Sequence, residues 1–161
     1  MPFVAADAEY VRNNGNNTLD ITAYLKLLDG EIIRCNRGYS IELWPVTDFS
    51  RSLVADLIGS ENGGDFYYRN SYQRPHVGSS ADYKHFREYV KKIDCNKDSH
   101  AIFTEISDGE YYVFTDIYWY WATGYGRFSE VTYYGAVMFD RVKVSGGQTL
   151  NHTMTRDKPI Q

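Results

Sequence analysis

From residue 100 onward the chain alternates apolar and polar positions and is broken by three glycine-containing turns, a pattern that limits the fold more than any other feature. The breaks are Ser107-Asp108-Gly109, Ala-Thr-Gly-Tyr-Gly at 122–126, and Ser145-Gly146-Gly147. They separate arms at 100–106, 110–121, 128–144 and 149–155. Consecutive strands joined by short turns pair antiparallel, so a four-stranded meander is expected. The two middle arms, about 12 and 17 residues long, would outrun a flat sheet at about 3.3 Å per residue. Strong curling is therefore expected, with a bulge at Gly135.

Before residue 96 the apolar spacing predicts three helices. The first spans 18–28, capped by Asn17 or Thr18, with Ile21, Tyr24, Leu25 and Leu28 on its apolar face and Gly30 as its stop. The second starts at Thr47, buries Phe49, Leu53 and Leu57, and ends at Gly59. The third follows Ser79-x-x-Asp82 and carries a stripe of Tyr83, Phe86, Val90 and Ile93. A hairpin with arms at 32–33 and 41–44 is expected around Asn36-Arg37-Gly38, ending at Pro45. Residues 60–78 are expected to form a loop with a short strand at 66–68. Helices over the concave face of a strongly curved sheet give an α+β cone, a single domain over 1–161 with a flexible tail at 156–161.

With 17 basic and 21 acidic residues the net charge is −4, which gives no general attraction to phosphate backbones, so nucleic acid is set aside as a partner. Cys35 and Cys95 form no C-x-x-C pair and lack histidines at ligand spacing, so they read as free thiols and no metal site is expected. No apolar run approaches the length that spans a membrane, and the first residues lack the basic start of a secretory leader. A cytoplasmic setting without membrane association is the expectation. Nucleophile-elbow, phosphate-loop, zincin and calcium-loop motifs are absent from the sequence.

Several segments of the second half resemble the NTF2-like superfamily, in particular its SnoaL-like branch. They are Phe86-Arg-Glu-Tyr-Val90 leading to His100-Ala-Ile-Phe-Thr104, then Gly135-Ala-Val-Met-Phe-Asp-Arg-Val142, Gly146-Gly147 and Leu150-Asn-His-Thr153. The resemblance covers about residues 78–157, whereas the hairpin expected at 31–44 departs from it. It implies a cone with a pocket and a cofactor-independent isomerase, cyclase or dehydratase.

The stretch Tyr111 to Trp121 holds seven aromatic residues and one charge, Asp116. Alternation puts Tyr112, Phe114, Asp116, Tyr118 and Tyr120 on one face and Val113, Ile117, Trp119 and Trp121 on the other. If the second face packs on the core, Asp116 points to water between tyrosines. If the first faces a cavity, burial raises the pKa of Asp116 and suits it to acid–base chemistry. In that case Asp116 is the catalytic candidate, with His100 and His152 as partners should the sheet bring them together. Tyr118 or Tyr134 would donate to a developing oxyanion. Tyr112, Phe114, Tyr118, Tyr120, Tyr134 and Met138 would line the pocket for a hydrophobic small molecule.

The rival expectation is a non-enzymatic inhibitor, immunity or counter-defence protein that uses the tyrosine-rich face to bind a protein partner. Homodimerisation through that face is compatible with either.

Overall fold

The computed structural model describes residues 1–36, 38–70, 73–124 and 126–158. The architecture is α+β: the described residues form nine strands in two sheets, antiparallel among them save for one pair, with short helices. Helix α1 is Asp48–Ile58 and α2 is Ala81–Phe86. The strands are β1 Asn17–Leu27, β2 Ile32–Arg34, β3 Ser40–Pro45, β4 Gly63–Arg69, β5 Lys91–Asp94, β6 His100–Ile106, β7 Gly109–Thr123, β8 Glu130–Val144 and β9 Thr149–Lys158.

Strand β1 is the spine of the smaller sheet. Along one edge β9 runs parallel to it from Thr18↔Thr149 to Leu27↔Lys158. Along the other, β6 pairs with its first half and β2 with its second, both antiparallel. The larger sheet has the order β4-β8-β7-β3-β5. Inward side chains of both sheets make one core, in which Leu19, Ile21, Ala23, Leu25 and Met154 meet Ile41, Leu43, Val113, Ile117, Ala136 and Met138.

Several sequence expectations are corrected. Residues 17–27 form a strand instead of a helix, because Leu19, Ile21, Ala23, Leu25 and Leu27 alternate strictly and all are buried. Leu28, which the helical spacing placed on the apolar face, is exposed. The hairpin at 31–44 does not form: β2 joins the smaller sheet and β3 the larger. Arg37, within its expected turn, lies outside the described residues. The third helix stops early. Its cap is Ser80, accepting from the Tyr83 amide, and after one 3₁₀ turn at Arg87–Tyr89 the chain turns extended at Val90 to pair as β5 with β3. The second helix forms as expected, with Thr47 and Ser50 in a reciprocal capping box and Gly59 closing it at φ 82°.

The four-stranded meander is also corrected. All four arms are strands, but only β7 and β8 pair with each other, and the turns at 107–109 and 145–148 carry the chain between sheets. The strong curl and the cone are not seen. Gly135 is no bulge: both ladders pass through it in register, at Tyr118↔Gly135 and Tyr68↔Gly135. The great length of the β7–β8 ladder is accommodated by overhang. Strand β3 stops pairing at Thr115 and β4 at Tyr134, while β7 and β8 stay paired to Thr123↔Glu130. The end of the hairpin is thus a two-stranded arm beyond the sheet; Tyr125, at its turn, lies outside the described residues.

Cys35 and Cys95 are joined in a disulfide, which overturns the free-thiol expectation. It ties the end of β2 to the end of β5, hence one sheet to the other. The spacing of 60 residues hid this, since pairing depends on how β2 and β5 are brought together. Of the segment expected as a tail, residues 156–158 belong to β9, and residues 159–161 lie outside the described residues.

Candidate functional site

The outer face of the larger sheet, turned away from the smaller one, has two unlike halves. At one end Phe3, near the N-terminus, and Phe49, Phe86 and Tyr89 of the helical segments cluster over the sheet, where Phe86 meets Trp44 edge to face at 5.4 Å and Trp44 in turn packs on Phe139 at 5.0 Å beside Phe114. Tyr112 lies under this cover and donates to the Glu61 carbonyl. At the other end, where the arm leaves the sheet, the rings stand open: Tyr118 is 48% exposed, Tyr120 67% and Tyr133 56%.

Asp116 sits at the junction of the two halves, one residue past the last β3 pairing. Tyr68 on β4 crosses the sheet over Gly135 to donate to Asp116 Oδ1 at 2.8 Å. A Cβ on Gly135 would meet Tyr68 Cζ at 2.0 Å, so the missing side chain is what lets the ring lie there. Arg74 Nη2 comes within 2.6 Å of Asp116 Oδ2 as an ion pair. Oδ2 is itself buried, so the Arg74 guanidinium is the charge that faces it. With its side chain only 8% exposed, Asp116 has its carboxyl pushed above the usual aspartate value by burial, against the lowering effect of Tyr68 and Arg74. Burial, with the Asp116 charge added, likewise raises the Tyr68 phenol, which stays a neutral donor.

Three hollows meet around this point, and Tyr118 is a wall of each. One of about 170 Å³ lies between Tyr68, Arg74, Tyr118, Tyr133 and Tyr134. A second of about 250 Å³ holds Asp116, Arg74, Lys92, Glu42 and Tyr39. A third of about 660 Å³ runs from Tyr118 and Tyr120 along Ile32, Ile33 and Arg34 of β2. Tyr39 joins the second and third, its ring packed edge-on at 4.9 Å against Tyr118 and its hydroxyl donating to the Tyr118 carbonyl. All three are open at the surface.

The other expected site residues are dispersed. His100 Nδ1 meets Asp20 at 2.6 Å on the smaller sheet. His152 Nε2 meets Asp140 at 2.7 Å, in a cluster where Arg156 also bonds Asp140, at 2.6 Å, and Asp65, at 3.0 Å, bridging the sheets. Neither histidine shares a partner with Asp116, and the curl that would have joined them is absent. Met138 is fully buried on the core side, opposite Thr115, while Tyr134, its ring stacked on Trp119 at 5.8 Å, also lines the first hollow beside the exposed Tyr133. Phe114 is half-buried and lines the Asp116 hollow. Tyr39, Tyr68, Arg74 and Lys92 escaped sequence reasoning, because pairing across 48 residues, as in Tyr68 and Asp116, leaves no local spacing signal.

Among the described residues no group of three His, Cys, Asp or Glu side chains is arranged to hold a metal, and no helix is long and apolar enough to cross a membrane. No family model matches the chain, and no curated protein does. Among solved structures it is similar to a Pseudomonas aeruginosa protein described as a "putative carbohydrate binding protein", with a TM-score of 0.68 at 18% identity over 97% of this chain and 99% of the other. At that identity the likeness shows the fold alone.

Proposed function

We propose that the root of the β7–β8 arm is a carbohydrate-binding surface. A sugar ring presents C–H groups on its faces and hydroxyls around its rim, so it is recognised by an aromatic ring beside fixed polar groups. Tyr118, Tyr120 and Tyr133 offer open rings; Asp116 and Arg74 offer an acceptor and donors beside them. The observation that carries the reading is the set of open Tyr118, Tyr120 and Tyr133 rings at the root of the arm, with the Arg74–Asp116 ion pair in the hollow that Tyr118 walls. A sugar hydroxyl would accept from the exposed Arg74 guanidinium there. The description of the similar Pseudomonas protein supports the same ligand class. The disulfide favours an oxidising compartment in place of the cytosol expected from the sequence.

A saccharide panel followed by an NMR titration tests this. Binding is expected to shift Tyr118, Tyr120 and Tyr133 resonances, and Tyr118→Ala is expected to weaken it by about tenfold without lowering the unfolding midpoint. No binding, or shifts centred on His100 or His152, would sink the proposal.

The raised Asp116 carboxyl favours a second reading, in which this group acts as a general acid–base on the bound molecule, as the acid–base enzyme expectation holds. Turnover that Asp116→Asn abolishes while binding persists would select it.

A further inference from the structure

We propose that the carbohydrate bound at this site is acidic, a saccharide whose rings carry carboxylates; the inference rests on the carbohydrate reading above. It comes from the distribution of charge in and beneath the 250 Å³ hollow. Two carboxylates face it, Glu42 and Asp116. Both oxygens of Glu42 are engaged, by Arg87 Nη1 at 2.5 Å and Trp44 Nε1 at 2.8 Å on Oε1 and by Arg87 Nη2 at 2.9 Å on Oε2. Asp116 is held against Arg74.

Lys92 is the charge left over. It stands directly across the β3–β5 ladder from Glu42, so its side chain rises on the same face. Glu42 is already bound by Arg87, and the exposed Lys92 ammonium has no ion pair among the described residues. Arg74 is 58% exposed, lines the same hollow, and meets Asp116 through Nη2. Three cations thus meet two carboxylates. A neutral sugar leaves the surplus charge to water, whereas a ring carboxylate neutralises it and fits the planar fork of Arg74.

The clean probe is a trigalacturonate set against its methyl ester, which keeps the rings and removes the charge. Calorimetry on the whole, disulfide-bonded protein is expected to show the acid binding tighter by about tenfold or more at low salt. The preference should shrink as salt rises and fall toward one in Lys92→Met, a substitution at an exposed position, and in Arg74→Gln. Equal affinity for acid and ester overturns the charge inference and leaves the carbohydrate reading standing, as does binding of neutral saccharides with neither galacturonate form bound. Failure of every saccharide overturns both.

Discussion

Tyr68 reaches Asp116 from two strands away, and it does so across the one position in β8, Gly135, where its ring can lie against bare backbone. Three strands thereby fix one carboxylate at the foot of a projecting arm.

Gly135→Ala is expected to displace the Tyr68 ring and destabilise the fold by about 1–3 kcal/mol, since the added methyl has no free volume. Urea unfolding measures the loss. Because the Tyr68→Phe, Gly135→Ala double variant has already lost the hydroxyl bond, non-additive effects would locate the strain at the Tyr68 ring, and strict additivity would count against it.

The Asp116 carboxyl is expected to titrate above its ordinary value of 3.8, and higher still in Tyr68→Phe, which removes a bond to the charged form. The folded-state value exceeds the unfolded one, so the folded state binds the proton more tightly. Its contribution to stability is full below the ordinary value and is lost as pH rises through the raised one. Asp116→Asn should flatten that decline. A ¹³C-detected carboxyl titration at or below the ordinary midpoint would contradict the burial described here.

Asp140 runs the other way. Burial pushes its carboxyl up, but His152 and Arg156 outweigh this and hold it below the ordinary value. Its contribution is present above the unfolded value and is lost as pH falls through the lowered one. Asp140→Asn is expected to cost about 1.5–3 kcal/mol near neutral pH and much less in acid, as read by denaturant midpoints at the two conditions. Equal losses at both would show that the charge is not what matters.

Reduction of Cys35–Cys95 releases a 60-residue loop, and the chain-entropy picture puts the loss near about 4 kcal/mol. Tyr39 lies four residues beyond Cys35, its carbonyl accepting from the Cys95 amide at 2.9 Å. Reduction should therefore also loosen the Tyr39–Tyr118 pair and weaken saccharide binding, seen by repeating the titration with reductant. Unchanged binding and midpoint would count against the clamp.

Legibility in the sequence followed range of contact. The capping box at Thr47, the four late strands and the shared face of Asp116 and Tyr118 were readable because each depends on neighbours a few residues apart. The helix expected at 18–28 failed because Ile21, Tyr24, Leu25 and Leu28 fit a helical stripe while Leu19 to Leu27 fit a strand, and only pairing with β6 and β9 decides between them. The candidate site lost Tyr68, Arg74 and Lys92 for the same reason. Tyr133 was missed although its neighbour Tyr134 was named; both line the first hollow, and adjacent strand residues face opposite ways, so naming one does not bring in the other.

The parallel pairing of β1 with β9 sets an order of events for a growing chain. Asn17 accepts from the Gln148 amide 131 positions later, so β1 waits with a bare edge until nearly everything after it has been synthesised. The larger sheet and the β7–β8 hairpin can assemble meanwhile from nearer partners. Closing the smaller sheet is then the slow, late step, and until it occurs the β1 edge is open to pairing with other molecules.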